Sequence, residues 1–174
     1  PVESGEIALA ERGERGAAAN GAVMRCAPVA LRYRKDPAGL VLASLDSARV
    51  THAESRAAWG AVAVNQALVH LLNGGDIAGA PEAAVAGIAD HRVNEVVLGA
   101  AARTRDEVKA GGYVLETVGA SFWALANFAT AEDIISQAVS LGDDADSTGA
   151  VAGALAGAAF GAEALPERWR EQVQ

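Results

Sequence analysis

Gly142-Asp143-Asp144-Ala145-Asp146-Ser147-Thr148-Gly149 leads straight into a run of small residues, Ala150–Ala162, and the reading of this stretch decides the fold. Gly149, Gly153, Gly157 and Gly161 return every fourth residue, which puts them on one face of an α-helix expected over Ser147–Ala162. Glycine lowers helix propensity, so close packing must hold this element, with a groove where a neighbouring backbone can approach.

Working outward, the rest of the chain carries the same signal. β-Branched residues are scattered, period-two alternation is not sustained, and Gly or Pro punctuates the segments. The spacing predicts helices over Pro37–Val50, Pro81–Ala89, Val93–Lys109, Val114–Phe128 and Ala131–Leu141. Thr51-His52-Ala53-Glu54 reads as a capping box, with Thr51 as N-cap and Glu54 at N3 of a helix running to Gly74-Gly75. The expected class is all-α, a compact orthogonal multi-helix bundle forming a single domain over residues 1–174. Trp59, Trp123, Trp169 and Met24 are assigned to packing; His70 and His91 are expected to be exposed or locally hydrogen-bonded.

Composition narrows the function. With 14 basic and 22 acidic residues the net charge is −8, and Arg12, Arg15, Arg25, Arg32, Arg34 and Lys35 interleave with glutamates, so no nucleic-acid patch is expected. No uncharged run is long enough to cross a membrane. The single cysteine, Cys26, cannot pair within the chain, and the acidic start Pro1–Glu6 lacks an apolar signal core; the expectation is a soluble, cytoplasmic protein.

Five of the six side chains from Asp143 to Thr148 end in oxygen. A helix cap accounts for one of them. A cluster of hard oxygens suits Mg²⁺, Mn²⁺ or Ca²⁺, whereas Zn²⁺ favours Cys and His, which are absent nearby. An EF-hand loop is excluded: Asp144, Asp146, Thr148 and Gly149 match its early positions, but Leu155 stands where the bidentate Glu belongs.

Four segments in order resemble the ADP-ribosylglycohydrolase family, which includes the dinitrogenase-reductase-activating glycohydrolases. They are Asn20-Gly21-Ala22-Val23-Met24-Arg25; Thr51-His52 with its alanine-rich helix; Gly112-Tyr113-Val114 with Thr117, Ala120 and Trp123; and Leu141-Gly142 through Asp144-Ala145-Asp146-Ser147-Thr148-Gly149 to Leu165-Pro166 and Trp169. The resemblance implies an all-helical fold with two Mg²⁺ or Mn²⁺ ions beside the ribose of an ADP-ribosyl group, and hydrolysis of its N- or O-glycosidic bond to a protein side chain or small acceptor. It carries the metal ligands over to Asp144, Asp146 and Ser147.

The same resemblance gives the other segments a place along ADP-ribose. His52, read at the first turn of its helix, would donate to a phosphate; its bland alternative is a surface histidine beside a capping box. Asn20-Gly21 would bring backbone N–H groups to the pyrophosphate or distal ribose, and a plain turn is the alternative. Tyr113 would stack at the nucleoside end, or serve as an ordinary aromatic at a helix start.

Members of the family also carry an N-terminal Thr-Asp-Asp-Thr element and an acidic residue that assists catalysis, and this chain matches neither, so no catalytic residue is assigned. A fragment of a longer product, one chain of a two-part enzyme whose partner brings the missing helices, or an inactive ADP-ribose- or nucleotide-binding module would each account for this. A chain lacking that part should leave apolar helix faces uncovered.

Overall fold

The computed structural model describes residues 18–172. Nine helices follow one another there: α1 (Ala27–Arg32), α2 (Pro37–Arg49), α3 (Ser55–Leu72), α4 (Ala80–Val85), α5 (His91–Leu98), α6 (Val114–Asn127), α7 (Ala131–Val139), α8 (Ala145–Phe160) and α9 (Glu167–Arg170). Single 3-10 turns occupy Asn20–Ala22, Ala100–Ala102, Arg105–Glu107 and Ala162–Ala164. Among the described residues there is no strand, only an isolated antiparallel bridge between Ala19 and Tyr113. The all-α expectation holds.

Helix α3 is the axis of the fold. Ala57, Ala58, Gly60–Asn65, Ala67, Leu68 and Leu71 are buried, so it is enclosed on nearly every side, packing against α1, α2, α4, α6 and α8. Small side chains make this possible: a Cβ on Gly60 would stand 3.1 Å from Val114 Cγ2 on α6. Larger residues fill the spaces between helices, with Phe122, Leu125, Ile134 and Leu155 almost wholly buried, each contributing roughly 1.5–3 kcal/mol. Trp123 is buried, donates its indole N–H to the Arg103 carbonyl at 3.0 Å and meets Phe128 edge-on. The buried Asn65 amide donates to Ser44 Oγ at 2.8 Å, tying α3 to α2.

Several boundaries differ from expectation for local reasons. Glu54, not Thr51, caps α3: its carboxylate accepts from the N–H groups of Arg56 at 2.7 Å and Ala57 at 3.3 Å. Thr51 and His52 instead belong to the end of α2, both donating their backbone N–H to the Ala48 carbonyl. Helix α4 stops at Val85, ahead of Gly87 at a φ of 72°. The helix expected through Lys109 ends at Leu98 and gives way to two 3-10 turns, the second closed by Glu107, which accepts from Thr104 N at 2.9 Å. The short α1, with Pro28 in its first turn, and α9 had no expectation.

The glycine stripe of α8 is used unevenly. A Cβ on Gly149 would stand 2.8 Å from Val139 Cγ2, one on Gly153 3.9 Å from Ile135, and one on Gly157 would meet nothing. Side chains of α7, not a neighbouring backbone, therefore fill the stripe, and only at its N-terminal half. Gly161 lies beyond the helix at a φ of 80°. Toward the other end Ala27, Leu31, Leu68, Leu72, Ala154 and Gly157 line an open apolar groove of about 260 Å³. Leu31 there is 64% exposed.

Burial pushes the Cys26 thiol up to about 12, which makes it a packing residue rather than a nucleophile. No described helix is long and apolar enough to cross a membrane.

Candidate functional site

The turn Asn20–Ala22 sits where the segment before α6 and the start of α8 converge. Asn20 N donates to the Gly112 carbonyl at 3.0 Å and Val114 N to Ala18 O at 2.8 Å, which fixes the turn against Gly112–Val114. Asp144 N donates to Ala110 O at 3.0 Å, bringing the start of α8 to the same place. Asn20 is buried, and its side-chain amide donates to Asp144 Oδ2 at 2.7 Å and to Thr117 Oγ1 at 2.8 Å. The Thr117 hydroxyl in turn donates to the Gly111 carbonyl at 3.2 Å. The Asn20 amide holds the Asp144 carboxyl below the usual aspartate value of 3.8.

Helix α8 starts at Ala145, two residues earlier than the sequence indicates, with Asp144 in the N-cap position. Its side chain makes no capping bond to α8, being turned to Asn20 instead. Asp146 is exposed in the first turn; Ser147 is buried and donates to Met24 Sδ at 3.4 Å. Met24 is therefore not the core residue expected, since it is 46% exposed and lies beside this helix start. Thr148 is fully buried and its Oγ1 has no hydrogen-bond partner among the described residues.

Asp144, Asp146 and Ser147 fit a hard divalent cation in kind: two carboxylates and a hydroxyl whose lone pairs stay free while it donates to a weak sulfur acceptor. In number they fall short, because among the described residues no three acidic, His or Cys side chains gather as a metal cage.

His52 is not at the first turn of α3 but three residues before it, so the expected helix-end position does not apply; the Glu54 carboxylate occupies that helix end. The ring lies over Gly21 nonetheless, with Cε1 only 2.7 Å from where a Cβ on Gly21 would be. Its Nδ1 is 2.7 Å from Thr51 Oγ1, which accepts from Arg25 Nη2 at 2.6 Å. Burial, reinforced by the Arg25 charge, lowers the imidazole below its ordinary 6.5.

Tyr113 is the N-cap residue of α6 and half-buried. Its hydroxyl accepts from Arg56 Nη1 at 2.8 Å, and Arg56 is itself paired with Glu54. The ring borders a cavity of about 190 Å³ shared with Arg103, Lys109 and Glu116.

The structure thus gathers Asn20, Gly21, His52, Asp144 and Ser147 around one turn, with Asp146 in the adjoining first turn of α8; Tyr113 joins it through its backbone, while its side chain lines a cavity that none of the others borders. Sequence reasoning assigns no role to the hydroxyl of Thr117, to Arg25 acting on Thr51, or to Arg56 on Tyr113. No local signal marks them, since their partners lie 97, 26 and 57 positions away.

With this geometry in view, the comparisons with known proteins are consistent among themselves. The sequence model of the ADP-ribosylglycohydrolase family matches residues 2–174. The ADP-ribosylarginine hydrolase Tri1 of Pseudomonas putida (strain GB-1) is 34% identical over 160 residues, spanning 90% of this chain and 42% of that protein. The ADP-ribosyl-[dinitrogen reductase] glycohydrolase of Rhodospirillum rubrum is 31% identical over 158 residues, 91% of this chain and 51% of that protein. A solved ADP-ribosylglycohydrolase-related protein complex superposes with a TM-score of 0.81 at 32% identity, over 91% of this chain and 56% of that one. The chain spans about half the length of these relatives. By sequence and by fold, it belongs to the ADP-ribosylglycohydrolase family.

Proposed function

We propose that this chain forms one wall of a Mg²⁺- or Mn²⁺-dependent site that hydrolyses the N- or O-glycosidic bond joining ADP-ribose to a protein side chain or small acceptor. Asp144, Asp146 and Ser147 are the metal ligands, and Asn20, Gly21, His52 and Tyr113 border the cleft for ADP-ribose. The observation that carries this reading is the Asn20 amide on Asp144 Oδ2 at 2.7 Å. It orients a carboxylate at a helix start and keeps it ionised.

Divalent ions, two in the complete site, would supply an activated water and anchor the ribose hydroxyls beside it. The remaining work is done by side chains. Ser147 keeps its oxygen lone pairs available, and the absent side chain of Gly21 makes room for the half-buried His52 ring that stands above it. Each hard cation takes about six oxygens, so further donors come from the portion of the family fold that this chain does not include, in the same polypeptide or a second chain.

Release of ADP-ribose from an ADP-ribosylated protein by the complete polypeptide tests the proposal. It should require Mg²⁺ or Mn²⁺ and disappear in Asp146→Ala; activity persisting in a chelator overturns it. The absence of a three-ligand cage among the described residues favours a second reading for the chain by itself: ADP-ribose binding without turnover. Calorimetry with ADP-ribose, run beside the turnover assay, separates the two.

A further inference from the structure

Three exposed or half-buried residues from two separate segments form a chain of hydrogen bonds that ends on the candidate site. Arg25, in the turn after Ala22, donates to Thr51 Oγ1 at 2.6 Å, and the same nitrogen is 3.5 Å from the Ser47 carbonyl on α2. Thr51 Oγ1 is 2.7 Å from His52 Nδ1. The loop carrying both residues is pinned by its backbone, with Thr51 N and His52 N on Ala48 O at 3.2 and 2.9 Å. The far side of the ring rests on Gly21, where a Cβ would be 3.1 Å from Nε2.

We propose that Arg25 is a positioning residue: acting through the Thr51 hydroxyl, it holds His52 as a neutral ring with its proton on Nε2, so that an N–H donor is presented on the Gly21 side. A guanidinium only donates, so Thr51 must accept from Arg25. A hydroxyl that accepts from a cation becomes a stronger donor and a weaker acceptor, and the acceptor within reach is the Nδ1 lone pair. With Nδ1 so occupied, the ring proton is placed on Nε2. The other charges on the flanking segments are paired with one another, Arg49 with Asp46 at 4.0 Å and Glu54 with Arg56, leaving Arg25 as the charge that acts on the ring. Its field and the partial burial of the imidazole both oppose a second proton. The donor so fixed suits an oxygen acceptor, a phosphate or ribose oxygen if the reading above is right.

The tautomer is a property of the protein without ligand and is measured by long-range proton–nitrogen NMR on the complete polypeptide, with His52 assigned by its loss in His52→Gln. The expected spectrum shows Nδ1 unprotonated and Nε2 protonated. In Thr51→Val the ratio of the two tautomers falls by about fivefold, the ratio that one ordinary hydrogen bond sustains, and Thr51→Ser restores it. Arg25→Gln, at an exposed position, lowers the ratio in the same direction and raises the titration midpoint of His52, so the test does not depend on the Thr51 variant folding. A wild-type proton on Nδ1, or Thr51→Val and Arg25→Gln spectra matching the wild type, overturns the proposal. The expected tautomer together with no ADP-ribose hydrolysis supports it and counts against the catalytic reading instead.

Discussion

Asn20 and Asp144 are 124 positions apart in the chain and joined by a 2.7 Å hydrogen bond from amide to carboxylate. The second N–H of the same amide goes to Thr117 at 2.8 Å, so one buried side chain locks a turn, the start of α6 and the start of α8 together. A neutral donor does this without cancelling the negative charge, which leaves Asp144 both oriented and anionic.

Asn20→Ala removes both donors and leaves the buried Thr117 and the partly exposed Asp144 short of a partner. Stability is expected to fall by about 1 to 3 kcal/mol in urea unfolding. In a double-mutant cycle with Asp144→Ala the pair should couple by more than about 0.5 kcal/mol; additive effects would show that the bond does not hold the site together. The Asp144 contribution is present above the ordinary aspartate value of 3.8 and is lost as pH falls through its lower folded value.

Gly21→Ala tests the contact between the turn and His52. Its Cβ would lie 2.7 Å from Cε1, a distance the ring tip must relieve by moving. Because the ring is only half-buried, the fold tolerates this and the unfolding midpoint should change little. ADP-ribose affinity measured by calorimetry should drop about tenfold, the equivalent of losing one well-placed polar contact. Unchanged affinity would remove His52 and Gly21 from the cleft.

Much of this was legible in the chain itself. Fold class followed from punctuation and missing alternation, and α2, α6, α7 and α8 fall within a few residues of their expected spans. The boundary before α3 was misread because Thr51 and Glu54 have the spacing of a capping box, and sequence alone cannot show that the end of α2 has already taken the N–H groups of Thr51 and His52. The oxygen cluster stood out because its members are adjacent. The bond from Asn20 to Asp144 and the Arg25–Thr51–His52 relay did not, because tertiary packing alone brings them together. Met24 illustrates the opposite error: an apolar side chain expected in the core lies exposed beside Ser147.

His52 gives stability a second pH dependence, of a sign set by its lowered pKa. As pH falls through the ordinary 6.5 the unfolded chain takes up the proton first, while the folded ring resists it, so stability declines toward the lower folded value. Urea midpoints at about pH 8 and pH 5 should therefore differ more in the wild type than in His52→Gln, which has nothing to protonate there. Equal differences would mean that the folded ring titrates as freely as the unfolded one.

The uneven glycine stripe of α8 separates helix propensity from packing. Replacing an exposed or uncrowded helical glycine by alanine stabilises by roughly 0.5–1 kcal/mol, and Gly157, where a Cβ meets nothing, should show that gain. At Gly149 the same change places a methyl 2.8 Å from Val139 Cγ2, so the propensity gain is offset by pushing α7 outward or turning the stiff valine off its rotamer. Gly149→Ala should thus come out neutral or destabilising, and the two variants should differ by at least about 1 kcal/mol in chemical denaturation. If both gain equally, Val139, already 42% exposed, swings aside freely and the contact between α7 and α8 is looser than its geometry indicates.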